Sequence, residues 1–300
     1  MPSNAYLGID VGSVTTKFAL LNEADELVTS LYLRNDGQPI VSIQKGLREL
    51  SSALPTGMHI AGVATTGSAR YLAGVLVNAD LVKNEISCQA AAAVRFVPDA
   101  ATVIEIGGQD SKIIIIRDGA VADMAMNTVC AAGTGSFLDQ QAQRMNMSID
   151  DFGREALKST APIQIAGRCA VFAETDIIHK QQMGHKRPDI IAGLCRALAR
   201  NFLSNVAVGK EILPTVIFQG GVALNRGMVL AIEEAIGLPV AVPANPGITG
   251  AIGAAFIVHQ EFKSKHKTTS FNGFEIAGAN LTASSFACRE CDSLCEISQL

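Results

Sequence analysis

The segment Asp10-Val11-Gly12-Ser13-Val14-Thr15-Thr16-Lys17 is matched, 95 residues later, by Glu105-Ile106-Gly107-Gly108-Gln109-Asp110-Ser111-Lys112. Acid stands for acid, Gly12 for Gly107, Thr16 for Ser111 and Lys17 for Lys112. A glycine turn exposes backbone N–H groups, and hydroxyls and an ammonium beside them suit phosphate oxygens. Gly12, Ser13, Thr15, Thr16 and Lys17 are therefore expected to bind phosphate, as are Gly107, Gly108 and Lys112. Asp10 and Glu105 sit just inside the strands leading into the turns. They serve either as turn partners or as water-mediated ligands of Mg2+, a hard cation that prefers carboxylate and water oxygens. The second use is favoured for Asp10. Asp10, Gln109 and Asp110 are the expected catalytic residues.

Other glycine turns extend this set. Gly133-Thr134-Gly135 looks like a nucleotide-contacting turn that feeds a helix. Gly220-Gly221 lets the chain pass close under an adenine or ribose, while Asn225 either caps the next helix or joins the contact. Seven cysteines, at 88, 130, 169, 195, 288, 291 and 295, are odd in number for a disulfide framework. Cys130 lies three residues before Gly133, and Cys169 precedes Ala170-Val171-Phe172. Neither has a second cysteine within helical reach, so neither completes a metal site alone. Cys88 and Cys195 read as core thiols. Cys288, Cys291 and Cys295 have metal-like spacing, but three ligands do not close a tetrahedral site. A fourth ligand from elsewhere and simple disorder both remain open for that tail.

The elements that must position these residues are legible. Apolar strands flank each turn, so each copy reads as a β-hairpin, and a third strand follows the first over Leu27 to Leu33. Helical periodicity covers Pro39 to Leu50 and Ile86 to Phe96, with a strand at His59 to Thr65 between them. Pro98 breaks the chain before the second copy. Three short strands to Met126 open the second half. Helices follow over Ser136 to Met145, Asp150 to Lys158, Ile190 to Val208, Asn225 to Ile236 and Ile248 to His259, with a strand at Thr215 to Gln219. The chain thus divides into 1–97, 98–262 and a tail, 263–300, without a clear element. A repeat of this kind implies two similar domains holding a nucleotide in the cleft between them.

Composition sets bounds. Hydrophobic residues make up 48% and charged residues 17%, which fits a compact α/β protein rather than a disordered chain. A formal charge of −4 gives no general attraction to nucleic acid or to an anionic membrane surface. No apolar run reaches the length of a membrane span and no signal peptide is visible, so a cytoplasmic location is expected.

Three stretches in order, GIDVGSVTTK, IEIGGQDSK and FQGGVALNRG, resemble the phosphate and adenosine segments of the actin/hexokinase/Hsp70 superfamily. The resemblance implies duplicated ribonuclease H-like domains with ATP or ADP in the cleft. TVCAAGTGSFLD and GRCAVFAETDII narrow it further. Over Tyr6 to Val258 the chain resembles the activases of 2-hydroxyacyl-CoA dehydratases and the BadF/BadG/BcrA/BcrD type of ATPase. That resemblance implies a homodimer in which Cys130 and Cys169 of each copy ligate one shared [4Fe–4S] cluster. ATP hydrolysis would then drive a low-potential electron, received from a ferredoxin- or flavodoxin-type donor, to an acyl-CoA dehydratase or reductase. A small-molecule kinase of the amino-sugar type is the competing reading. It needs an Asp base near an acceptor hydroxyl; Asp80 has no motif around it, and a kinase leaves Cys130 and Cys169 unexplained. A third reading is a non-enzymatic, nucleotide-dependent regulator of the same fold.

Overall fold

The computed structural model describes residues 3–127, 132–265, 267–281 and 284–299. In the first half, β1 (Ser3–Val11), β2 (Thr15–Asn22) and β3 (Leu27–Arg34) form an antiparallel meander. β4 (Met58–Thr66) pairs parallel to β1, and β5 (Leu81–Val82) pairs parallel to β4. The second half repeats this plan. β6 (Thr102–Ile106), β7 (Ser111–Arg117) and β8 (Ala120–Asn127) form the meander, and β9 (Val216–Gln219) and β10 (Val240–Ala241) run parallel to β6. The two sheets have equivalent orders, β3-β2-β1-β4-β5 and β8-β7-β6-β9-β10. This is the duplication expected from the repeat, in the ribonuclease H-like architecture that the resemblance implies.

The strands are fixed by what covers their faces. Ile113 and Ile115 pack with Leu194, Leu198 and Phe202 of α7 (Arg187–Asn205). Ile114 and Ile116 point the other way, onto Ala90 and Ala93 of α3 (Glu85–Phe96). A continuous isoleucine run is thus a strand buried on both faces. On the first sheet, Leu7, Ile9 and Val11 meet α1 (Pro39–Ala53) and α2 (Arg70–Val77) through Ile43, Leu47, Leu50 and Leu76. The opposite face receives α9 (Thr249–Lys265), a helix from the far end of the second half. Gly8 makes that seat possible, because a Cβ there would run into the Ala251 backbone. α9 also packs along α3, so this helix pair lies between the two sheets.

The remaining helices, α4 (Gly135–Arg144), α5 (Ile149–Ala156), α6 (Ala170–Gln182) and α8 (Arg226–Ile236), belong to the second half. α2, α6 and the two-residue edge strands were not expected. α6 lacks a clear apolar stripe, with only Ala173 and Ile177 buried. The tail also has more structure than composition indicates. Arg48 and Gln44 of α1 donate to carbonyls of Ala277, Ile276 and Ala279, and Phe271, Phe274 and Leu281 join the first core. Beyond them, β11 (Ser284–Ala287) and β12 (Glu296–Gln299) form a separate hairpin. Among the described residues no helix is long and apolar enough to cross a membrane.

Candidate functional site

Both hairpin turns close by the same bond: the Gly12 N–H donates to the Thr15 carbonyl and the Gly107 N–H to that of Asp110, each at 3.0 Å. Strand register sets Asp10 opposite Lys17 and Glu105 opposite Lys112. Lys17 Nζ lies 3.2 Å from Asp10 Oδ2, and Lys112 Nζ lies 2.7 Å from Glu105 Oε2. The repeat in sequence is therefore a repeat of acid–ammonium pairs.

The copies differ in electrostatics. Lys112, 2% exposed, also meets Asp110 at 2.9 Å and Glu85 at 3.4 Å. Burial works against its charge, but the three carboxylates outweigh it and hold the ammonium protonated well past the usual range. Burial likewise opposes the Lys17 charge, and Asp10 foremost overcomes it. Burial pushes the Glu105 and Glu85 carboxyls up, against the pull of Lys112 in each case.

Each turn has its own brace. Asn35, just after β3, accepts from the Thr16 hydroxyl at 2.6 Å and donates to the Gly12 carbonyl at 2.7 Å. On the second turn, the Gly135 and Ser136 N–H groups at the start of α4 donate to the Gly107 and Gly108 carbonyls at 2.8 and 2.9 Å. The turns also touch: a Cβ on Gly108 would fall 2.9 Å from Val14.

Asp10, Gly12, Ser13, Thr15, Lys17, Gly107, Gly108, Gln109, Asp110 and Lys112 line one polar cleft, together with Ser68, Glu85 and Gln89. With every group ionised, the four carboxylates of Asp10, Glu85, Glu105 and Asp110 exceed the two ammoniums by two charges. The cleft runs through Val14, Thr15, Gly107 and Gly108 into a cavity of about 190 Å3. Its walls include Tyr32, Leu138, Gly135, Gly221 and Asn225, and Arg34 bridges to Asp139 at 2.9 Å across it. The first space is polar and carries an excess of carboxylates, while the second is wider and partly apolar.

Some expected contacts serve the frame instead. Thr16 is fully buried on Asn35 and lines neither space. Gly220, at φ +85°, lies under the second hairpin, where a Cβ would strike the Ile106 carbonyl and Glu105. Gly133, at φ +97°, and Thr134, the residue preceding α4, shape the approach to that helix without lining the cavity. Asn225 caps α8, its side chain accepting from the Met228 N–H at 3.2 Å, and it also lines the cavity. Asp80 is consumed structurally, accepting from the Val63 and Ser270 N–H groups and from two hydroxyls, so it is no general base.

Cys130 lies outside the described residues. Cys169 is half-buried at the N-cap of α6 and opens onto a cavity of about 570 Å3 with Arg168, Arg200 and Asn201. Val171 and Phe172 beside it are 68% and 67% exposed. Among the described residues no three ligating side chains converge as they would around an ion. Cys88 and Cys195 are core thiols, pushed up to about 12 by burial.

The sequence reading missed Glu85, Asn35, Tyr32 and Arg34. Glu85 follows Asn84, whose side chain accepts from the Ser87 N–H, so it carries the signature of an ordinary helix start. Its partner, Lys112, is 27 residues away, and no local pattern links them.

Residues 7–258 match the BadF/BadG/BcrA/BcrD ATPase family. The chain is 36% identical over 259 residues to the (R)-2-hydroxyglutaryl-CoA dehydratase activating ATPase of Acidaminococcus fermentans, covering 85% of this chain and 97% of that one. It is similar to the activator of the 2-hydroxyisocaproyl-CoA dehydratase from Clostridium difficile with bound ADPNP. That likeness has a TM-score of 0.81 at 31% identity, over 87% and 97% of the two chains. A ROK family glucokinase from Streptomyces griseus shares the fold alone, with a TM-score of 0.52 at 14% identity over 85% and 99% of the chains.

Proposed function

The chain belongs to the BadF/BadG/BcrA/BcrD ATPase family, and from that premise we propose a reductive activator, two copies of which share one [4Fe–4S] cluster. It is an ATPase with an ATP-dependent activating role. Its partner is an acyl-CoA dehydratase, or a reductase of the benzoyl-CoA type, and a ferredoxin- or flavodoxin-type protein supplies the electron.

One observation carries the coupling. The N-terminus of α4 is bonded to the second phosphate turn, and the same helix grips Glu174 of α6 through Arg144 at 2.8 Å and Gln141 at 3.4 Å. Cys169 is the N-cap of α6. A shift of the Gly107–Gly108 turn with nucleotide state therefore has a contiguous route to that thiol. The nucleotide must favour the donating conformation more as ATP than as ADP, or nothing is coupled.

The cleft's chemistry supports Mg2+. Two excess negative charges would repel a triphosphate; at an effective dielectric of about 20, one unit pair 4 Å apart costs about 4 kcal/mol. Asp10, with Glu105 and Asp110 on the facing turn, would hold the cation through water, and it would neutralise the phosphates. Lys17 and the exposed turn N–H groups remain to bind phosphate oxygens, while Lys112 holds the second set of carboxylates in place.

The donor set at the other site supports a cluster. Cys169 stands at the N-cap of α6, half-buried and open to a cavity. Exposed Val171 and Phe172 beside it are suited to burial in a seam between copies. Cys130 and Cys169 give two thiolates per chain, so four require a symmetric pair. When bound, the cluster would supply one-electron transfer at low potential.

The test is iron and sulfide content, with the visible spectrum before and after dithionite, on protein purified without oxygen. About four irons per pair of chains, a bleachable absorbance and loss of both in Cys130→Ser are expected. A colourless pair that still hydrolyses ATP after cluster reconstitution would sink the redox role.

A further inference from the structure

The three tail cysteines take no part in the function above, and the segment that carries them has a physical problem. β11 and β12 pair only with each other, and every described side chain on both strands is exposed. Phe286 and Ile297 face one another across the strands, yet remain 54% and 40% exposed. A two-stranded hairpin without a core is marginal in water. Short segments of this kind are held by a metal, a disulfide or a partner surface.

The cysteines sit where a clip would act. Register continues one step past Ala287 and Glu296, so Cys288 stands opposite Cys295, and the Cys288 N–H donates to the Cys295 carbonyl at 2.7 Å. Cys291 lies in the loop between them and is exposed. Thiols ligate such metals as thiolates. Leu294, next to Cys295, is held at φ +45°, a conformation that costs a branched residue energy and persists only where surroundings impose it.

We propose that the 284–299 hairpin is a thiolate metal knuckle, in which Cys288, Cys291 and Cys295 bind one zinc-class divalent cation with an exchangeable fourth ligand. The three side chains do not converge in this structure. They lie within one loop of eight residues, so binding requires the three thiols to turn toward one another within that loop. Thiolates select zinc-like ions over Mg2+ or Ca2+. Binding breaks three S–H bonds, forms three metal–sulfur bonds and releases three protons; the cation keeps its charge state. This site is separate from the cluster cysteines and independent of the redox reading.

The test uses the full chain carrying Cys130→Ser and Cys169→Ser, reduced and stripped of metal, then titrated with Co2+. The expected result is a thiolate-to-cobalt charge-transfer band saturating at one equivalent, proton release in weak buffer, and slowed amide exchange across 284–299. Adding Cys288→Ser, Cys291→Ser and Cys295→Ser should abolish all three while ATP binding persists. No charge-transfer band, or a band unchanged by the three tail substitutions, would overturn the proposal. So would a Cys288–Cys295 disulfide that survives excess reductant and blocks uptake.

Discussion

Arg144 reaches Glu174 at 2.8 Å, joining the last turn of α4 to the first turns of α6. The pair is part-exposed, at 46% and 25%, so screening leaves it worth less than about 1 kcal/mol of stability. Its weight lies in what it connects. Arg144→Ala and Glu174→Gln are expected to melt within a few degrees of the parent and to hydrolyse ATP within about twofold of its rate. The difference in cluster reduction potential between the ATP and ADP states should shrink in both. An unchanged nucleotide-dependent difference would remove this contact from the coupling route.

Asp10→Asn separates binding from turnover. The substitution keeps the shape of the turn and the Lys17 partner, but removes the charge expected to orient Mg2+ and its waters. ATP turnover should fall about a hundredfold or more, with ADP affinity changing much less. Steady-state hydrolysis and calorimetric ADP binding check the two arms.

Lys112 is a structural cation first. Lys112→Met leaves Glu105, itself 5% exposed, without its nearest ammonium, and should cost about 3–5 kcal/mol. The sign of the pH dependence follows from Glu105. Burial raises its folded pKa above the ordinary value of 4.5, so its contribution to stability is present below that value and is lost as pH rises through the folded one. Without Lys112 the folded value climbs further. The loss in Tm relative to the parent should therefore be larger at about pH 8 than at about pH 5. Lys112→Met with Glu105→Gln should recover part of it.

Thiol reactivity should sort by environment. In metal-free, reduced chain at about pH 8, Cys291 should alkylate first, because it is exposed and the Ser293 N–H and hydroxyl draw its thiol down. Cys88 and Cys195, buried and pushed up to about 12, should react only after unfolding. Peptide mass mapping over time gives the order, and early labelling of Cys195 would contradict its place in the core.

The fold was legible where local rules govern. The two acid–glycine–lysine segments give hairpins because glycine turns and flanking apolar runs are encoded within a dozen residues. Ile113 to Ile116 could be read as a strand for the same reason. What escaped depends on distant partners. Asn35 braces Gly12 from 23 residues away, and Glu85 reaches Lys112 from the end of a helix that looks merely well capped. α6 escaped because its exposed face bears Val171, Phe172 and Ile178, with Met183 at its C-cap, which blurs the amphipathic stripe. The same exposed apolar residues that hid the helix from periodicity mark its surface as one suited to another chain.

The seat of α9 on β1 has a consequence for biosynthesis. Tyr6 and Ala64 on the inner side of the first sheet are covered by Ala254, Val258 and Phe262. These partners leave the ribosome some two hundred residues after the strands they protect, which at cellular translation speeds is a delay on the order of tens of seconds. Through that interval the strands' own half supplies that face with Cys88 and Ala92 of α3, while the α9 side chains are still missing. Completion of the first core thus waits for α9, which ties the folding of the first half to the synthesis of the second.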